Sequence, residues 1–215
     1  MHVECRLFRT LRKKRIKGQK KNFGNGLGKA TLRGTAVLGN GGVKLTDEVT
    51  GGFGAVVFDG LAATPALTSF TARFNLQLGP GTLPPADGAS FAVGNLGVGA
   101  WGEAGPATAN SLTVGFDTFE NGPVNEAIGI HVWVNGVHLT VSATNPYTNG
   151  ATVPVEINYD TVNGLTVRYN SVLIFTNLPI PGLTFPAAGG YGIGTRTGGS
   201  LERAVVDDVE ITARP

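Results

Sequence analysis

The chain has 215 residues, 41% of them hydrophobic, with 33 Gly, 12 Pro and one Cys. That is enough apolar material for a sizeable core, and it excludes a disordered chain as the default. The glycines follow no three-residue period, which excludes a collagen-like chain, and the lone Cys5 excludes an internal disulfide or a Cys-based metal site.

The formal charge of +2 hides an asymmetry. Residues 1–21 carry nine of the 17 basic residues and only Glu4 of the 15 acidic ones. The remainder holds eight basic and 14 acidic residues, a net of −6. An acidic body argues against nucleic-acid binding by the folded domain and leaves carboxylates for a cation. The composition break divides the chain into a basic tail, 1–22, expected to be disordered, and one domain, 23–215. A short helix at Arg6–Ile16 is the only helical pattern in the tail. No apolar segment follows these basic residues, so they do not form a complete secretory signal. No apolar run is long enough to span a membrane.

From Phe23 onward the pattern is strands and turns. Thr31–Leu38, Val43–Thr46 and Gly54–Phe58 come first. In Ser69–Leu78, Phe70, Ala72, Phe74, Leu76 and Leu78 alternate with Thr71, Arg73, Asn75 and Gln77, the period of a strand with one buried face. Ser90–Val93 follows a Pro-Pro-Ala-Asp-Gly turn. In Ser111–Phe119, Leu112, Val114 and Phe116 alternate with Thr113, Gly115 and Asp117. Ile128–Val134 sets four apolar residues against Gly129, His131 and Trp133, which are expected on a wet face. Asn135-Gly136 reads as a tight hairpin into Val137–Ser142, and Asn163-Gly164 as a second hairpin between Val153–Tyr159 and Leu165–Tyr169. Val172–Phe175, Gly190–Thr195 and Val205–Thr212 complete the series. About a dozen short, regularly spaced strands with no long helical period predict an all-β protein, an antiparallel two-sheet sandwich.

Three segments carry candidate chemistry: Ala86-Asp87-Gly88-Ala89-Ser90-Phe91; Phe116-Asp117-Thr118-Phe119-Glu120-Asn121 with Glu126-Ala127-Ile128-Gly129-Ile130; and Arg196-Thr197-Gly198-Gly199 through Val206-Asp207-Asp208-Val209. In this order and spacing the chain resembles the legume (L-type) lectins, with their concanavalin A-like jelly roll, from Phe23 to Pro215. The resemblance implies an extracellular carbohydrate-binding module supported by calcium. It gives Asp87 the role of accepting hydrogen bonds from sugar hydroxyls, often after a cis peptide, as a fixed carboxylate does well. It makes Asp117, the carbonyl of Phe119 and Asn121 calcium ligands, with Asn121 also meeting the sugar. Calcium takes six to eight hard oxygens, so another carboxylate is needed. Glu126 is the nearest candidate, with Glu120 and Asn125 behind it. The competing reading of this segment is a solvated acidic turn.

The Gly-rich stretch 94–102 fits the family's third sugar-contacting element. Gly97 and Gly99 would let backbone N–H groups approach the ligand, and Trp101 would stack on a sugar ring. Trp133 would either line the same surface or pack beneath a loop. Gly115 and Ala127 stand where the family has the Glu and His of its transition-metal site, so no manganese site is expected. His131 is expected to be an ordinary surface residue. Alternation turns Asp207 inward, where it would need a second ion or a partner such as Arg196 or Arg203.

The same jelly roll also serves glucanases. Their Glu-x-Asp-x-x-Glu pattern reads here as Gly115-x-Asp117-x-x-Glu120, with no nucleophile, and retaining hydrolysis needs two carboxyls. No Gly-x-Ser-x-Gly elbow is present. The reading is therefore a non-catalytic carbohydrate binder. A structural or adhesion module with a vestigial sugar site is the alternative, and a hydrolase comes after it. Flat sandwich faces leave room for a homo-oligomer.

Overall fold

A computed structural model describes residues 17–21, 30–39, 41–58, 67–123, 126–186 and 189–214. The candidate helix at Arg6–Ile16 lies outside them, as does Asn125. The described residues form fifteen strands and two antiparallel sheets, the predicted β-sandwich.

The first sheet runs β13 (Val172–Leu178), β12 (Gly164–Tyr169), β11 (Thr152–Asp160), β6 (Ser69–Gly81), β15 (Glu202–Arg214), β4 (Gly42–Thr46) and β3 (Val37–Gly39). β1 (Lys17–Lys21) also pairs with β15, Lys17 opposite Ala213. Composition assigned that segment to the disordered tail; the structure places it in the sheet. The second sheet runs β10 (Val137–Ser142), β9 (Gly129–Val134), β8 (Ser111–Asp117), β7 (Gly88–Gly94), β14 (Gly190–Arg196), β5 (Phe53–Phe58) and β2 (Ala30–Gly34).

The stretch expected as one strand, Thr31–Leu38, is split between the two sheets. The break follows Gly34, whose φ of +60° suits glycine and where a Cβ would lie 1.8 Å from the Phe53 carbonyl oxygen. The Asn135-Gly136 hairpin is as predicted, both residues at positive φ (55° and 77°). The Asn163-Gly164 turn is longer than two residues, because Asp160 Oδ1 accepts the N–H groups of Val162 and Asn163. Asn170-Ser171, at φ 48° and 66°, closes a tight hairpin between β12 and β13 that the sequence reading passed over.

The core lies between the sheets. Phe70, Phe74, Phe91, Phe116, Tyr169 and Tyr191 form its aromatic centre, with Phe74 stacked on Phe91 at 6.0 Å and Phe116 beside Tyr169 at 5.4 Å. Burying each such side chain stabilises the fold by roughly 2–3 kcal/mol.

β15 keeps its inward face by a bulge. Glu202, Ala204 and Val206 point in; pairing with β6 then shifts between Asp207 and Glu210, and Val209, Ile211 and Ala213 point in after it. Unbroken alternation, which put Asp207 inside, is therefore corrected. Asp207 is half-buried, and Asp208, at φ 50°, is exposed and accepts a hydrogen bond from Asn75 Nδ2 at 3.2 Å. Arg203 pairs with Asp47 at 3.0 Å, not with Asp207.

The middle of the second sheet is buried on both faces. Every residue of β7, β8 and β9 is buried. The β7–β8 connection, residues 95–110, folds back over the outer face, and Ser90 Oγ donates to the Gly102 carbonyl at 2.6 Å. The expected wet face of β9 is therefore dry. His131 is fully buried, not a surface residue, and stacks on Trp133 at 5.0 Å. Its Nε2 bonds the Ala127 carbonyl at 2.7 Å, so it carries the proton, and Nδ1 accepts from His138 Nε2 at 3.1 Å.

Candidate carbohydrate-binding site

The three sequence segments converge at one end of the second sheet. Asp87 precedes β7, Asp117 ends β8 and Arg196 ends β14. Antiparallel pairing sets Gly88 opposite both Asp117 and Arg196. The Ala86-Asp87 peptide is cis. The Asp87 main chain is held on both sides: its N–H donates to the Arg196 carbonyl at 3.1 Å, and its carbonyl accepts from Thr118 N–H at 3.2 Å.

The electrostatics are unusual for so small a region. Asp87, Glu103 and Asp117 are 6%, 3% and 1% exposed. Arg196 is the cation that meets the first two. Its Nε lies 3.2 Å from Asp87 Oδ2 and 3.0 Å from Glu103 Oε2, and its Nη2 lies 2.8 Å from Glu103 Oε1. Burial holds the Asp87 carboxyl above its ordinary value; Arg196 offsets part of that rise and Glu126 adds to it. Burial likewise raises Glu103 against the opposing pull of Arg196.

Asp117 has no such cation among the described residues. Burial pushes it up to about 8; the Phe119 N–H, which donates to its Oδ1 at 2.9 Å, lowers it, and the charges of Glu103, Glu126 and Asp87 raise it. Between the sheets, Glu202 is pushed up to about 8, first by burial and also by Asp87 and Asp117, while the Thr118 hydroxyl lowers it. Neither the Glu202 carboxyl nor that hydroxyl has a hydrogen-bond partner of normal geometry among the described residues.

Asn121 is exposed, and its N–H donates to the Glu126 carbonyl at 2.9 Å, so the two residues adjoin. Asp117 and Glu126 carry carboxylates, Phe119 a carbonyl and Asn121 an amide, oxygens of the hard kind that suits calcium. Among the described residues no three His, Cys, Asp or Glu side chains are grouped closely enough to hold a metal ion. Any calcium here therefore needs amide, carbonyl or water oxygens beside the two carboxylates.

The Gly-rich stretch departs from its expected roles. Gly97 N–H is taken by Asn95 Oδ1 at 3.2 Å. The carbonyls of Gly97 and Gly99 accept from Arg33 Nη1 at 3.1 and 3.0 Å. Trp101 is 3% exposed and packs against Ala55, Val57, Ala92 and Leu96 on the outer face of the sheet. Added Cβ atoms at Gly192 and Gly194 would come within 2.6 Å of it, so these alternate glycines make room for the indole. Its ring faces protein, where a stacked sugar cannot reach it. Trp133 also packs under the loop, and a Cβ at Gly115 would lie 2.5 Å from its ring and 2.3 Å from the Glu103 carbonyl oxygen. The loop stretch lines a cavity of about 340 Å³ with Phe53, Glu103 and Arg196.

Sequence reading missed Glu103 as a site residue and gave Arg196 only a tentative partner in Asp207. The available signal was a single Glu in the glycine-rich 94–105 stretch and a single Arg closing the glycine-alternating β14.

No protein-family profile matches the chain, and a comparison with curated proteins finds no match. Solved structures do match in three dimensions. The metal-free form of lectin I-B4 from Griffonia simplicifolia has a TM-score of 0.76 at 17% identity, covering 93% of this chain and 100% of that one. The Bauhinia forficata lectin in complex with GalNAc has a TM-score of 0.74 at 18% identity, covering 93% and 99%. Basic winged bean lectin with Tn-antigen has a TM-score of 0.72 at 19% identity, again covering 93% and 99%. The chain has the legume-lectin-like, concanavalin A-like fold.

Proposed function

We propose that this chain is a non-catalytic carbohydrate-binding domain supported by calcium. The observation that carries the reading is the convergence of Asp87 with the Asp117–Glu126 loop at one end of the second sheet, where carboxyls outnumber the cation Arg196. Asp87 would accept hydrogen bonds from sugar hydroxyls. Asn121 would meet the sugar and, with Asp117, the Phe119 carbonyl and Glu126, hold calcium. The ion would supply positive charge among these oxygens and fix the Asn121 amide. Gly99 is open on its outer side and would offer backbone. Gly97 and Trp101 would shape the loop from within.

Solved lectins of the same fold are bound to GalNAc and to Tn-antigen, which supports a saccharide as the ligand class. Action outside the cell fits this function; no helix among the described residues is long and apolar enough to cross a membrane. A hydrolase is disfavoured because the nucleophile's position is Gly115, where the Glu103 backbone and Trp133 fill the space.

One observation favours the structural or adhesion alternative: Asp87 Oδ2 is already engaged by Arg196. A glycan array with calcium and with EDTA separates the two. Calcium-dependent binding to a defined sugar, lost in Asp87→Ala, is expected. Binding unaffected by EDTA removes the calcium role, and no binding in either buffer leaves the structural reading.

A further inference from the structure

We propose that Arg196 and Glu103 are positioning residues of the sugar site: Glu103 orients the Arg196 guanidinium, and Arg196 in turn orients the Asp87 carboxylate. The proposal rests on the sugar-binding reading above.

The geometry is that of a clamp. Glu103 meets Arg196 with both carboxylate oxygens, at 3.0 and 2.8 Å, a two-point contact that fixes the plane of the guanidinium. The same Nε reaches Asp87 Oδ2 at 3.2 Å. Three elements distant in sequence are thereby tied together: the segment before β7, the roof loop and the end of β14. The backbone prepares the contact. A Cβ at Gly102 would lie 2.7 Å from Arg196 Cγ and 2.8 Å from Cδ, so glycine there lets the arginine stem lie against the loop. A Cβ at Gly198 would lie 3.3 Å from Asp87 Oδ2.

Charge makes the clamp necessary. Glu126 raises Asp87 and Arg196 lowers it, while the Asp87 charge itself raises Glu103, Asp117 and Glu202, so the ionisable groups coupled to it are all carboxyls apart from Arg196. A buried carboxyl among carboxyls turns neutral unless a cation holds it ionised. A neutral carboxyl is the weaker acceptor for sugar hydroxyls. Lysine cannot replace the fork, because its ammonium is a point charge without a plane.

The test measures affinity for the monosaccharide identified by the array, between pH 4 and 8, in wild type, Arg196→Met and Arg196→Lys. Near-UV circular dichroism checks the fold of each. Arg196→Met is expected to weaken binding at least tenfold at pH 7 and to move the acid limb of the profile up by at least one pH unit. Arg196→Lys is expected to restore the profile but recover only part of the affinity. Wild-type affinity and an unmoved profile in Arg196→Met overturn the proposal. If Arg196→Met does not fold, Arg196→Lys decides, since undiminished affinity in that variant rejects the positioning role. If wild type binds no sugar, the functional reading fails by itself. The clamp is then judged by NMR titration of the Asp87 carboxyl, which must titrate higher in Arg196→Met; an unchanged titration rejects it.

Discussion

Glu202→Gln gives the sharpest test of the buried charge. Glu202 is 1% exposed and lies between the sheets, and its carboxyl has no hydrogen-bond partner of normal geometry among the described residues. Burial pushes its carboxyl from 4.5 up to about 8. A folded-state value above the unfolded one means the native protein keeps a proton that the unfolded chain has released. The associated stability is whole below about pH 4.5 and is lost as pH rises through about 8. At about 1.36 kcal/mol per pH unit, ionising this group in place costs on the order of 5 kcal/mol. Glutamine has nearly the same shape and never ionises. In EDTA, to keep metal out, the two proteins should melt together near pH 5. By pH 9 the Gln variant should be the more stable by several kcal/mol, roughly 10 °C at about 2–4 °C per kcal/mol for a domain of this size. Thermal melts from pH 5 to 9 read it directly. Parallel curves for the two proteins, or a Gln variant that loses more stability with pH, would refute the reasoning.

Three further outcomes follow from the packing. Gly115→Glu should destabilise the domain by more than about 3 kcal/mol in urea denaturation, because its Cβ alone would meet the Glu103 backbone at 2.3 Å; a fold that accepts it unchanged contradicts the roofed sheet. Phe91→Ala, which empties the site stacked on Phe74, should cost about 3–5 kcal/mol in the same assay. His131 is held below its ordinary value, first by burial and also by His138, against the Ala127 carbonyl. Its contribution is therefore present above about pH 6.5 and lost as pH falls through the lower folded value. His131→Gln should lessen the acid-side fall in melting temperature between pH 6.5 and 4.

Much of the architecture was legible because it rests on local patterns. The period-two alternation of Phe70 to Leu78 and of Leu112 to Phe116 identified one buried face correctly. Asp87, Asp117, Asn121 and Glu126 were legible as a group because they flank strands whose pairing brings their ends together. What failed depended on contacts across the chain. Trp133 looked wet because nothing local to β9 shows that residues 95–110 return to cover it, and His131 because the Ala127 carbonyl and His138 that enclose it lie outside β9. Trp101 looked available for stacking until Gly192 and Gly194, ninety residues away, were found to receive it. Asp207 looked buried because a β-bulge resets alternation, and the positive φ at Asp208 leaves no mark in composition. The Arg196–Glu103 pair was hidden for the same reason, its partners lying 93 residues apart.

The returning 95–110 segment gives the molecule three tiers, with the second sheet as the middle one. Its inner side is anchored in the aromatic core, and its outer side packs against Trp101 of the returning segment. At the rim, exposed loop residues such as Asn121 and Gly199 stand outside the packed layers. Those positions can change identity without disturbing either layer. The edge is therefore free to vary in sequence while the platform beneath keeps its packing, a division of labour between rim and layer.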